Sequence, residues 1–407
     1  MGSREVLVGA LLGVLGVTVL AQVSASDGDT YARPVKGLTA RDALALSTEG
    51  TGLGGLAVSR EGELVFYSNG VLEILEPSGP RTLATFDPPV YGSFIVLEPD
   101  GQSVIFAESS SWNIYRVPLS GGTPLLIDNL RFAFDMAFDS KGRGYVSALR
   151  NNPSNEIVLL DEDPEATNRT IVANIPGVSG PLAFDDQGNL YYGTADLSGD
   201  PLRQTLHKFT RGEIEAALEG SPVDFSEGEV ILDGLDGFYD MAWHEGKLYC
   251  TDLGFKTNLG TVYVIDTVHN YLVEPLVSFP MDTGMLSPTW LAFRPGSRPF
   301  LEGNGMKGGS LFVSYSNYTT ILRVAEISPQ LYFVRGAVNE DDRVDISDAI
   351  TLISHLFLGG PPPETDEAAD ANADGKVDMS DALYILDYLF KGGPVIPPPY
   401  PERGPAP

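Results

Sequence analysis

Five oxygen-bearing side chains near the C-terminus fall at a spacing that chemistry can use. Asp370, Asn372, Asp374, Asp378 and Asp381 occupy positions 1, 3, 5, 9 and 12 of a twelve-residue stretch, and Gly375 stands at position 6. Calcium takes about six to eight oxygen ligands, and a short loop supplies them only if the chain turns sharply near its middle, where a residue without Cβ turns most easily. The chemistry predicted for this stretch is calcium coordination.

Position 12 departs from the commonest calcium loop, the EF-hand, because Asp381 stands where that loop carries a bidentate Glu. A second copy lies 33 residues upstream without a gap. Asn339 corresponds to Asn372, Asp341 to Asp374, Asp345 to Asp378, Ser347 to Ser380 and Asp348 to Asp381. An apolar helical segment follows each copy: Ile350, Ile353, Leu356 and Phe357 match Leu383, Leu386, Leu389 and Phe390, and both segments stop at Gly-Gly-Pro. Spacings of three and four put these residues on one stripe per helix, so the two helices are predicted to pack stripe to stripe.

Paired loop-and-helix calcium motifs that close on Asp resemble a dockerin, and the resemblance covers about residues 332–394. It implies a small all-α calcium-binding domain that binds a cohesin-like protein or another cell-surface component. It also implies ligands. In the second loop these are Asp370, Asn372, Asp374, the Lys376 carbonyl, Asp381, and Asp378 through water; in the first, Asn339, Asp341, the Arg343 carbonyl, Asp345 and Asp348. The first loop has Ala337 at position 1 and Asp342 at position 6, where the family has Asp and Gly, so it is expected to bind calcium more weakly or not at all. Family partner contacts at positions 10 and 11 fall on Ile346, Ser347, Met379 and Ser380, and their near-identity implies two pseudo-symmetric orientations. Half-buried residues at a helix start are the plainer reading of Ile346 and Met379.

The remaining composition bounds the partners. Residues 1–25 have the form of a secretory signal peptide, with Arg4, an apolar run from Val6 to Leu20, and Val23-Ser24-Ala25 before a cleavage point. No segment reads as a membrane span. A formal charge of -29 with no basic stripe argues against nucleic acid. Cys250 is the only cysteine and sits in an alternating strand pattern, which predicts a buried thiol and a secreted fold without an internal disulfide. The four histidines show no paired-ligand spacing, so zinc is not expected.

From about residue 40 to 330 the chain consists of short β-rich runs. Turn glycines at Gly62, Gly101, Gly142, Gly188 and Gly246 are separated by 39, 41, 46 and 58 residues, and six related apolar strands stand near them. That rhythm predicts a mainly β fold, a six-bladed β-propeller followed by the small helical domain. Only five outer strands are found, so a segment around Asp42–Thr48 is expected to complete the last blade and close the ring. The blades resemble the broad NHL and gluconolactonase-like group; that group's lactonases hold a metal near an Asn-Asp-Gly or Pro-Asp-Gly entry, whereas Asn-Asp-Gly does not occur here and Pro99-Asp100-Gly101 belongs to one of the hairpin turns.

One propeller face is predicted to be aromatic, with Tyr91, Phe132, Phe134, Phe238, Tyr239 and Trp290 at inner-strand entries and Trp112, Phe255 and Tyr318 in other loops of that face. These rings either stack on sugars or plug the channel mouth. Asp135, Asp240, Glu108, Asp196 and Asp252 either do acid–base work or hold a cation, or else bind backbone amides as a structural role. A helical insertion within 202–220 is expected over the same face. No nucleophile elbow or phosphate loop is present, so no catalytic residue is assigned. Two functions follow: a binding module in an extracellular, polysaccharide-processing assembly, with polysaccharide as a further partner, or a hydrolase or lyase acting on carbohydrate or lactone. A third reading makes the repeat pair a calcium-stabilised tail without a cohesin. The Pro-rich stretch 395–407 is read as a tail, either solvated or folded back so that Ile396 or Tyr400 covers Tyr332 or Phe333.

Overall fold

The computed structural model describes residues 32–35, 38–46, 53–151, 154–161, 168–194, 204–235, 237–254, 257–268, 271–279, 287–296, 300, 309–316, 322–330, 332–339, 341–363 and 365–405. The 1–25 segment lies outside them. The chain divides into a β unit that runs to Ile327 and a C-terminal unit that includes Ser328 onward.

The β unit is a six-bladed propeller. Blade I comprises Leu53–Val58, Leu64–Ser68, Val71–Glu76 and Gly79–Thr85. Blade II comprises Gly92–Leu97, Ser103–Glu108, Asn113–Pro118 and Leu125–Asn129. Blade III has Asp135–Phe138, Gly144–Asn151, Ser154–Leu159 and Arg169–Ile175. Blade IV has Leu182–Phe184, Leu190–Gly193, Gln204–Phe209 and Glu229–Leu235. Blade V has Phe238–His244, Lys247–Asp252, Gly260–Asp266 and Leu272–Phe279. Blade VI has Ser287–Arg294, Ser310–Ser316 and Leu322–Pro329, with Leu38–Ala45 outermost. The innermost strand of each blade touches that of the next, and the sixth touches the first.

Stacking blades face to face buries both sides of the middle strands, which is why Leu64–Ser68, Ser103–Glu108 and Ser310–Ser316 are buried throughout instead of alternating. The core therefore lies between blades: Val65, Tyr67, Ile95 and Phe106 join I to II, and Tyr145, Ile157, Phe184 and Tyr192 join III to IV. Each hairpin turn predicted from its glycine is made, with Gly62, Gly101, Gly142, Gly188 and Gly246 all at positive φ. Within blade IV the entry to the inner strand runs close against the end of the second strand at Gly180, where an added Cβ would stand 1.9 Å from the Gly193 carbonyl oxygen. Gly180→Ala is expected to lower stability by about 3 kcal/mol, because backbone cannot give way as a side chain can; an unchanged thermal midpoint would contradict this packing.

The N-terminal segment completes blade VI, but Leu38–Ala45 forms the strand instead of Asp42–Thr48, and Ser47 and Thr48 lie outside the described residues. Side chains set this register. Asp42 receives Arg323 at 2.5 Å and the Tyr315 hydroxyl at 2.6 Å, while buried Glu326 collects Arg41 at 2.7 Å and Arg294 at 2.9 Å. Two short strands not read from the sequence cover further edges: Arg33–Pro34 on blade V and Val223–Asp224, parallel, on blade III.

The insertion is helix α1, Arg211–Glu219, capped by a Thr210–Glu213 box. It lies over the hairpin turns between first and second strands, not over the aromatic face: Glu215 meets Lys141 and Arg143, each at 2.8 Å, and Arg211 packs on Gly188. The connection from third to fourth strand leaves a blade at that end, which fixes the outcome. Hydrogen bonds from Arg143 and Lys141 hold the Glu215 carboxyl down to about 2.

In the C-terminal unit, α2 (Ile346–Leu358) and α4 (Met379–Lys391) flank the short α3 (Asp366–Ala369). Each long helix starts at an Asp cap, Asp345 or Asp378, and ends at a left-handed glycine, Gly359 or Gly392. The helices pack, but not on the whole predicted stripe: Ala349, Leu352, Ala382 and Ile385 make the buried seam with Ile353, Leu356, Leu386 and Leu389 beside it, while Ile350, Phe357, Leu383 and Phe390 are exposed. The Pro-rich tail folds back. Ile396 is buried near Gly336, the Tyr400 hydroxyl meets that of Tyr388 at 2.7 Å, and Gly404–Pro405 pairs with Tyr332–Phe333 in the place expected for Ile396 or Tyr400.

Candidate metal centre and binding face

The second loop turns its oxygens inward. Asp370 accepts from the amides of Asp374 at 3.0 Å and Gly375 at 3.1 Å, Asn372 Oδ1 accepts from Asp374, and Asp374 accepts from Lys376. Asp381 is wholly buried and accepts from Asn372 and Asp378. Gly375 takes the left-handed turn at position 6, as predicted. Burial pushes the Asp381 carboxyl up, and the charges of Asp370 and Asp374 push it further. A buried carboxylate pressed by two more is a site that a divalent cation relieves, so these residues fit calcium. Among the described residues no three acidic or histidine groups suffice to hold an ion alone; the set includes Asn372 and a backbone carbonyl. Calcium held by these residues would tie the loop to the first turn of α4. Asp378 caps that helix through the Ser380 amide at 2.7 Å.

The first loop repeats this with less charge. Asp348, also wholly buried, accepts from Val338, Asn339 and Asp345, and Asp345 caps α2 through Ser347. Burial raises the Asp348 carboxyl, and only Asp341 adds a neighbouring charge. Ala337 is buried at position 1 with no carboxylate to offer, while the turn at Asp342, φ 59°, is met by Arg403 of the tail at 2.6 Å. The carbonyls of Arg343 and Lys376 hold position 7 in their loops. Sequence reading missed Arg335, whose guanidinium lies 3.6 Å from Asp370 and donates to the Glu367 carbonyl. No spacing signals it, because 35 residues separate it from Asp370.

Around the loops a twofold ridge stands clear of the seam. Ile346 and Met379 are 50% and 39% exposed, Ile350 and Leu383 59% and 49%, and Phe357 and Phe390 64% and 66%. Matched exposure at matched positions means that the ridge reads nearly the same after exchanging the repeats. Ser347 and Ser380 stand at its loop end, each next to the Asn at position 3, Asn339 or Asn372.

On the propeller the acidic candidates hold backbone. Asp135 accepts from Met136 at 2.7 Å and from Leu182 of the next blade at 2.8 Å; Asp240 does the same with Met241 at 2.8 Å and Leu291 at 2.6 Å. Burial pushes the Asp135 carboxyl up to about 7, against the pull of its two amides. Burial, then the Asp135 charge, raises Asp240. Glu108 accepts from the amides of Ser110, Ser111 and Asn113, and Asp252 from Gly254. Asp196 lies outside the described residues. Cys250 is fully buried, and burial pushes its thiol up, consistent with a structural role.

The aromatic residues sort into two sets. Phe134, Tyr239 and Trp290, from blades III, V and VI, meet edge to face at 5.5 and 5.2 Å, and the Trp290 indole donates to the Ser93 carbonyl of blade II. Contacts between blades that are not neighbours cross the channel, so this set plugs its mouth. Phe238 is core. Tyr91, Trp112 and Phe132 stay outside the plug; Phe255 and Tyr318 lie outside the described residues.

Residues 335–390 match the family model described as the dockerin type I domain. Among curated proteins none matches the chain. Similar solved structures include the PQQ-bound aldose sugar dehydrogenase of Streptomyces coelicolor, at 14% identity over 73% of this chain and 100% of that one, TM-score 0.48. A gluconolactonase of Xanthomonas campestris aligns at 14% identity over 73% of this chain and 91% of its own, TM-score 0.49. A putative gluconolactonase aligns at 15% over 72% and 93%, TM-score 0.49. With both loops, the capped helix pair and the family match in one segment, residues 335–390 of this chain form a dockerin type I domain.

Proposed function

We propose that this chain is exported, that calcium loads its dockerin chiefly through the second loop, and that the dockerin attaches a binding propeller to a cohesin in an extracellular, polysaccharide-processing assembly. The twofold exposed ridge carries this reading. Apolar residues left in water at matched positions of both repeats suit a partner that accepts either orientation. The signal-peptide pattern at residues 1–25 supports export. Commitment of both oxygens of Asp135, Asp240 and Glu108 to backbone amides favours binding over catalysis, since a carboxylate so engaged is a poor acid or base.

The test is calcium-dependent binding of the full chain to type I cohesins by surface plasmon resonance. Ile346→Asp or Met379→Asp alone is expected to cost less than about tenfold in affinity, because the other orientation remains, and the double variant at least about a hundredfold. Loss of binding in one single variant would remove the two-orientation reading. A wild-type chain that binds calcium but no cohesin points to a calcium-stabilised tail instead.

A further inference from the structure

We infer that Trp112, backed by Phe132, is a built stacking platform for an uncharged polysaccharide; this rests on the propeller being a binding module. Trp112 sits at φ 65° and Phe132 at φ 52°, a backbone region that bulky residues rarely occupy. The fold does not demand a tryptophan there. In blade I the residue in the same place, just before the third strand and accepting the amide that follows the outer strand, is Gly70 at φ 89°. Blade II repeats that hydrogen bond, Leu130 amide to Trp112 carbonyl at 2.9 Å, with a tryptophan where glycine serves without strain.

The surroundings hold this strained turn. Buried Glu108 gathers the amides of Ser110, Ser111 and Asn113 at 2.6 to 3.2 Å, and the Asn129 side chain donates to the Ser111 carbonyl at 2.8 Å. The Trp112 and Phe132 rings meet at 4.3 Å, and the Arg131 guanidinium lies over Phe132 at 5.2 Å. Arg131 thus backs Phe132, and Phe132 backs Trp112, which remains partly exposed. Tyr91, 43% exposed, belongs to the preceding loop; its backbone amide donates to the Ser110 hydroxyl and its carbonyl accepts from the Ser109 hydroxyl, which ties this third ring to the turn that carries Trp112. A held aromatic surface in a turn that also carries serines matches a pyranose, whose C–H face packs on an aromatic ring while its own hydroxyls stay free to hydrogen-bond at the side. A net charge of -29 selects against anionic polymers.

Native gels cast with xyloglucan, galactomannan or mixed-linkage glucan, with polygalacturonate as the charged control, test this on the full chain. Wild type is expected to be retarded by at least one neutral polymer and not by polygalacturonate. Trp112→Gly is expected to weaken retention at least about tenfold, equivalent to 1.4 kcal/mol, while keeping or raising the propeller melting temperature, since glycine relieves the backbone. Phe132→Gly, relieving the second turn, should weaken retention also. A fall of about 10 °C in Trp112→Gly, as when a buried aromatic is lost, would overturn the platform. So would retention equal to wild type, or retention by polygalacturonate alone. If wild type is retarded by no neutral polymer, the binding-module reading itself fails.

Discussion

In excess chelator the C-terminal unit is expected to lose its helical circular dichroism and its hydrogen-exchange protection, while the propeller keeps its own melting transition. The unit has two long helices of 13 residues each, and helices of that length are marginal in water without tertiary support. Their seam is narrow and rich in alanine: Ala349, Ala369, Ala371 and Ala382 line it with Leu352 and Ile385. Calcium at about a hundred times its dissociation constant adds roughly 2.7 kcal/mol, a large share of what so small a core holds. Removing the ion also leaves Asp381 buried beside Asp370 and Asp374. The propeller core, made of stacked blades, contains none of these groups. Unchanged exchange protection over residues 332–394 in chelator would contradict this account. Within the unit, Asp374→Ala is expected to weaken calcium binding by about two orders of magnitude and Asp341→Ala by much less, because only the second loop has its position-1 carboxylate. Equal losses in titration calorimetry would overturn that ranking of the loops.

The propeller is expected to lose stability as pH rises from about 4 to about 7. Burial raises Asp135 from the ordinary carboxylate value of 3.8 to about 7, and Asp240 is raised in the same direction. Between those values the folded chain keeps protons that the unfolded chain has released, so stability is fully present below the unfolded value and falls as pH climbs through the folded one. The change is a few kcal/mol at roughly 1.4 kcal/mol per unit. Asp135→Asn together with Asp240→Asn removes both titrations and should flatten the profile. It should also lower the acid plateau by about 1–3 kcal/mol per site, since a carboxamide has one acceptor oxygen for two backbone donors. A double variant whose denaturant midpoints keep the wild-type slope over this range would show that the pair is not responsible.

Much of the fold was legible because its signals are local and repeated. Turn glycines set the blades, since a hairpin needing positive φ leaves its residue type in the chain whatever surrounds it. The dockerin loops were legible for the same reason: oxygen-bearing side chains at fixed offsets, with Asp caps and glycine stops marking their helices. Where the reading shifted, long-range partners decided. The closing strand begins at Leu38 because Asp42 answers Tyr315 and Arg323, more than 270 residues away in sequence. Helix α1 left the aromatic face because Glu215 answers the turn residues Lys141 and Arg143.

By itself the sequence determined the β rhythm, the paired dockerin loops and the helices, all properties of spacing and residue type. Tertiary structure alone decided which half of each apolar stripe is seam and which is ridge, because a 3.6-residue period marks a stripe without naming its partner. It also decided that Phe134, Tyr239 and Trp290 plug the channel while Trp112 stands outside it, and that Asp135 and Asp240 clamp blades. An aromatic ring or a carboxylate has the same identity in either role; only the groups brought against it by the closed ring fix whether its surface is used up or left free.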